Sequence, residues 1–190
     1  MMFIFDTSSF VSLARYYLPF DHQEKIYNHV KQGLENRRIL LIDAVLEECR
    51  FVAKRIVIEK LDFLLDKSFL KANHLPLKTE DIIPASPRKF YNMVDNNFTT
   101  PARIVLTDTE FESNKREFLR SADTRMVMYA FNRQHQDPDV DIVIVTEESE
   151  QANDNKAFKK LPAICHFLDL RTMPLPEYLA LCEDLNMKLG

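Results

Sequence analysis

Three short runs, Phe3-Ile4-Phe5, Ile39-Leu40-Leu41-Ile42 and Ile142-Val143-Ile144-Val145, are apolar at every position. A strand with one face in water alternates polar and apolar residues; a strand buried on both faces does not. Strands of the second kind belong to parallel sheets covered by helices, and parallel neighbours need long right-handed crossovers. Helical periodicity lies where the crossovers must be, as in Phe10, Leu13, Ala14 and Tyr17. The expected fold is α/β, a three-layer α/β/α sandwich on a central parallel sheet of four to five strands. At 190 residues the chain suits one domain spanning 1–190.

In chain order, the first strand ends at Asp6-Thr7-Ser8, and a helix is expected over 9–17 until Pro19 interrupts it. Asp21 caps a second helix reaching about Glu35, and Asp43 opens a long helical pattern continuing or restarting to Leu65. His74-Leu75-Pro76-Leu77 reads as a third, edge-like strand, since Pro cannot donate in a ladder. Ser86-Pro87 opens a helix to about Asn96, Thr107 or Thr109 starts a polar one, and Ser121 caps a strongly apolar one. After the central strand come a polar loop over 147–160, a short helix over 162–167, a last strand over 168–170 and a closing helix over 176–187.

Composition excludes several function classes. Both glycines, Gly33 and Gly190, lie outside any Gly-rich phosphate cradle. The three cysteines, Cys49, Cys165 and Cys182, form no CxxC pair, which fits a reducing, cytoplasmic setting. No run approaches the ~20 apolar residues of a membrane span. A net charge of −4 does not advertise a nucleic-acid binder, although basic residues cluster at Lys54-Arg55, Lys115-Arg116, Arg120 and Arg125, and Lys156, Lys159 and Lys160.

Acidic residues recur at equivalent points of this architecture. Asp6 follows the first strand, Glu48 lies early in the helix after the second, Asp123 follows the Ser121 cap, and Glu148 follows the central strand. Each alone has a plain explanation as a cap, a surface acid or a partner of the helix dipole. Together, like charges at one sheet edge repel by roughly 1–4 kcal/mol per pair at contact range. Such a cluster binds cations, and oxygen donors without His or Cys point to Mg²⁺ or Mn²⁺. A Cys165-His166 thiol dyad is disfavoured, because sequence neighbours rarely meet in such a pair.

Asp6-Thr7-Ser8, Val45-Leu46-Glu47-Glu48, Ser121-Ala122-Asp123 and Val145-Thr146-Glu147-Glu148 together resemble the PIN-domain ribonucleases, which include the VapC-like toxins of toxin–antitoxin pairs. Lys160-Leu161-Pro162-Ala163-Ile164-Cys165 is similar to an Ile-Pro-x-x-Cys motif of one PIN-like subfamily. The resemblance implies strand order 3-2-1-4-5, with residues 74–77 as the third strand. It implies metal-dependent hydrolysis of RNA phosphodiesters, with Asp6, Glu48, Asp123 and Glu148 holding Mg²⁺ or Mn²⁺ and an antitoxin protein as partner. Glu47 and Glu147 are alternative ligands; adjacent helix positions point about 100° apart, so only one of Glu47 and Glu48 reaches the metal. Thr7, Ser8 and Thr146 would orient the carboxylates, and Arg125, Lys156, Lys159 and Lys160 would meet RNA phosphates. Tyr16-Tyr17 offers a face for a homodimer or a partner. Segments 98–120 and 149–160 exceed what a minimal PIN domain needs. The rival is a non-catalytic PIN-like RNA-binding or protein-interaction module; a phospho-acceptor receiver domain is rejected, because only one acid follows the first strand and Arg171 follows the last.

Overall fold

Strand β1 (Met2–Phe5) lies between β2 (Ile39–Leu40) and β3 (Ile142–Val145), and β4 (Arg171–Met173) flanks β3. All three pairings are parallel, in the order β2-β1-β3-β4. The structure, a computed structural model, describes residues 1–149 and 156–185. Between β1 and β2 come α1 (Thr7–Ser12), a π-turn over Leu13–Tyr17, and α2 (Lys25–Glu35). Between β2 and β3 come α3 (Asp43–Cys49), α4 (Ile56–Lys60), α5 (Lys67–Ala72), α6 (Pro87–Asn96), α7 (Asp108–Arg120) and α8 (Ala122–Gln136). Helix α9 (Leu161–Phe167) joins β3 to β4, and α10 (Leu175–Ala180) follows. Helices thus separate every pair of consecutive strands, an arrangement compatible with three layers.

The continuous apolar runs are buried as their pattern requires: Phe3, Ile4 and Phe5 of β1 and all of β3 are closed to solvent. Tyr178 of α10 sets its ring edge-on to Phe3 and Phe5, with centroids at 4.7 and 4.8 Å. Its hydroxyl meets His29 Nε2 of α2 at 2.8 Å, so the buried phenol keeps a polar partner. Helix starts follow their caps. The N–H groups of Lys25 and Tyr27 donate to the Asp21 carboxylate at 2.8 and 2.9 Å. Thr107 and Glu110 form a reciprocal capping box on α7.

Four expected elements are corrected or narrowed. The third strand is not formed: α5, capped by Asp66, occupies its approach, and only Leu77 bridges the sheet, opposite Ile42. Pro76 has no N–H to offer, which limits pairing to that single bridge. The last strand is displaced to Arg171–Met173, because the N–H groups of Leu168 and Leu170 both close the end of α9 on the Cys165 carbonyl. The helical pattern after Asp43 restarts rather than continues: α3 ends at Cys49, and α4 begins past Ala53, Lys54 and Arg55, all at positive φ. The helix over 9–17 widens into the π-turn, where Leu18 N–H reaches the Leu13 carbonyl. The closing helix ends at Ala180, and its expected end at Met187 lies outside the described residues, as does 150–155 of the polar loop. Among the described residues, no helix is long and apolar enough to cross a membrane.

Two backbone positions carry tests of this packing. A Cβ on Gly33 would stand 2.6 and 2.8 Å from Cδ1 and Cγ1 of the buried Ile39, because α2 lies directly on β2. Gly33→Ala should lower stability by about 1–3 kcal/mol in urea unfolding, and Ile39→Val should recover part of that loss. Ala53→Gly should raise stability by about 1 kcal/mol, since glycine adopts the left-handed conformation without the Cβ clash.

Candidate metal centre at the carboxyl edge of the sheet

The register sets Phe5 opposite Val145, so the next residues, Asp6 and Thr146, emerge side by side at the carboxyl edge. Asp6 N–H donates to the Val145 carbonyl at 2.9 Å, extending the ladder by one bond. Asp6 stands at the N-cap position of α1 but its side chain caps nothing. Its Oδ2 instead accepts from the Ser8 hydroxyl at 2.6 Å and the Thr146 hydroxyl at 2.9 Å. Both hydroxyls are themselves held: Glu147 N–H donates to Ser8 Oγ at 3.1 Å, and Glu148 N–H to Thr146 Oγ1 at 3.2 Å. Asp6 is 4% exposed, so this buried carboxylate needs such donors.

Glu48 arrives from α3, and its Oε2 accepts from the Thr7 hydroxyl at 2.6 Å. Its neighbour Glu47 turns to the exposed side and pairs with Arg50 at 3.2 Å. Asp123, in the first turn of α8, follows Ser121, whose Oγ accepts from Thr124 N–H at 3.2 Å. Glu148 accepts from Leu161 N–H at 3.2 Å at the start of α9. Glu147 faces elsewhere, accepting from Leu175 N–H at 2.8 Å at the start of α10.

Electrostatics tie the four positions together. The Asp123 carboxyl is pushed up to about 7, first by burial and then by the charges of Asp6, Glu148 and Glu48, with Lys156 opposing. Acids from four distant stretches of chain therefore share one field. Two buried thiols lie under it. Cys49 is pushed up to about 12 by burial, Glu48 and Asp6, and Cys165 to about 12 by burial and Asp123. Cys165 thus stays a thiol, and His166 is exposed with its ring against Phe167; no nucleophilic dyad forms.

The donor set, four carboxylates without His or Cys, has the chemistry of an Mg²⁺ or Mn²⁺ site. Among the described residues, no three His, Cys, Asp or Glu groups are drawn close enough to cage an ion. Each of Asp6 and Glu48 has one oxygen engaged by hydroxyls.

Of the basic residues, Arg125 faces Asp43 in a hollow it shares with Arg120, Glu47 and Glu48. Lys156 lies beside Asp123 and Glu148. Lys159 is tied to the Asn97 carbonyl at 2.6 Å and lies 4.3 Å over the Phe167 ring, while Lys160 lines the same hollow as Lys156. Tyr16 is exposed and Tyr17 half-buried. The sequence reading missed Asp43 at this edge. Burial pulls its carboxyl up, but donation from the Thr79 hydroxyl and N–H and from Ala44 N–H, with Arg125 nearby, holds it below the usual range. Its signal was available, since Asp43 closes the second apolar run as Asp6 closes the first.

A family model described as Domain of unknown function (DUF4411) matches residues 86–184, just over half of the chain. No curated protein and no solved structure matches.

The raised carboxyl has a signed consequence. Asp123 holds its proton in the folded protein to about pH 7, whereas the unfolded chain releases it near 3.8. Its contribution to stability is whole below the lower value and is lost as pH rises through the upper one. In metal-free buffer, Asp123→Asn should gain on the native protein by about 1–2 kcal/mol between pH 5 and pH 8. Denaturation at the two pH values checks this, and NMR titration should find the Asp123 carboxyl near 7, lower in Asp6→Asn.

Proposed function

We propose that this chain, which belongs to the family described as Domain of unknown function (DUF4411), is a metal-dependent ribonuclease with a PIN-like fold. The observation that carries the reading is the convergence on buried Asp123, whose carboxyl is raised first by burial and then by the charges of Asp6, Glu148 and Glu48. The fold supports it as well. The sheet is parallel throughout in the order β2-β1-β3-β4, with helices between consecutive strands, and is compatible with such a fold.

In this reading the four acids hold one or two Mg²⁺ or Mn²⁺ ions. A bound ion supplies Lewis-acid chemistry, activating water and neutralising charge on the phosphate. The chain's own part is orientation. Ser8 and Thr146 hold Oδ2 of Asp6, and Thr7 holds Oε2 of Glu48, so each carboxylate keeps its other oxygen for the site. Arg125 and Lys156 line two hollows that also include acids of the site, and in this reading they would meet the phosphates of an RNA strand. Likeness to the VapC-like toxins extends the proposal to the toxin of a toxin–antitoxin pair, with an antitoxin as partner and a cytoplasmic place of action.

The test is cleavage of mixed RNA with Mn²⁺, with chelator, and by Asp6→Asn and Asp123→Asn proteins. Cutting should require metal and fall roughly 100-fold or more in both variants, with Thr7→Val losing 10–100-fold. Activity surviving either acid substitution would place the chemistry elsewhere. RNA binding without cutting would select the second reading, a PIN-like binding module.

A further inference from the structure

Beside the acids lies a hollow of ≈ 480 Å³, walled by α7 and residues 156–160. Long-range backbone bonds build its far side. Thr99 and Phe158 form an antiparallel bridge, Thr100 N–H donates to the Ala157 carbonyl at 3.0 Å, and Lys159 N–H to the Phe98 carbonyl at 2.7 Å. The Phe158 ring stacks with Phe111 and Phe118 of α7, centroids at 5.7 and 4.3 Å. The wall is therefore fixed against the acid cluster, with Asp123 and Glu148 lining the same hollow.

Its lining divides by chemistry. Leu106, Phe118 and Phe158 supply an apolar side, while Asn114, Glu117, Ser121 and the three lysines Lys156, Lys159 and Lys160 supply polar and charged groups. Neither the Asn114 amide nor the Lys156 ammonium has a hydrogen bond or ion pair among the described residues, although Lys156 feels the charge of Asp123. An apolar side facing polar and charged groups, in a volume of this size, can seat a small polar ligand. An ammonium meets a phosphate as a point charge, and an amide, donor and acceptor at once, suits the edge of an unpaired base.

We propose that this hollow is a nucleotide subsite, taking one nucleotide of an RNA strand next to the phosphate at the acids. Lys156 holds its phosphate, Asn114 reads its base edge, and Leu106 and Phe118 cover its base. The inference rests on the ribonuclease reading for the neighbouring phosphate, and it gives α7 and its partner segment a role in choosing where the strand is cut.

The test measures binding apart from cutting. In an Asp6→Asn background with Mg²⁺, a short mixed-sequence RNA is titrated by fluorescence anisotropy against the full chain, with and without Asn114→Ala or Lys156→Gln. Each added substitution should weaken binding roughly tenfold with unchanged circular dichroism. Otherwise native protein carrying Asn114→Ala should shift the base found at the ends of RNA products. RNA binding equal in all three proteins would overturn the subsite. So would a 5′-mononucleotide binding as tightly as the RNA strand, which would make the hollow a free-nucleotide site. Weakened binding in variants of a protein that cuts no RNA would keep the subsite and remove the ribonuclease reading.

Discussion

The parallel register between β1 and β3 is the constraint on which the site depends. It puts Asp6 beside Thr146, and the Thr146 hydroxyl then reaches Asp6 Oδ2 at 2.9 Å. A slip of one residue would turn each side chain of a strand to the opposite face, and these strands are buried on both faces, so a slip has nowhere to put them. The matched family segment, residues 86–184, contains β3, Asp123 and Glu148 but neither β1, Asp6 nor Glu48. The acid cluster is therefore a product of both halves of the chain.

Neighbouring acids divide their work by geometry. Glu147 and Glu148 differ by one position after β3, yet one accepts from the start of α10 and the other from the start of α9. Glu47 and Glu48 are split in the same way, one to Arg50 on the surface and one to Thr7 at the sheet edge. In each pair a single residue joins the field felt by Asp123. A short segment can thus supply a charged site and a structural acceptor together, since successive side chains leave the backbone in different directions.

Hydroxyls, rather than basic side chains, hold the buried carboxylate. An arginine against Asp6 would satisfy it and cancel its charge. Ser8 and Thr146 satisfy it by donating hydrogen bonds, and they bring no positive charge to the edge. The charge opposing the acids at Asp123 is that of Lys156, carried by a segment that α7 holds through the Phe111, Phe158 and Phe118 rings.

The apolar runs and caps were legible because they are local: strand burial follows from unbroken hydrophobicity, and Asp21, Thr107 and Ser121 cap helices within a few residues of themselves. The four acids were legible as positions for the same reason, each following a strand or opening a helix. What sequence alone could not decide was competition between local choices. Cys165 closing α9 consumed the residues expected as the last strand, and the left-handed turn at Ala53, Lys54 and Arg55 broke a continuous periodic pattern. Tertiary structure alone also decided which of two adjacent glutamates faces the site. It alone brought Thr99 to Phe158 and so built a wall beside the acids. Capping and burial periodicity act over one or two turns, whereas a shared electrostatic field and a bridged wall exist only after distant segments have packed.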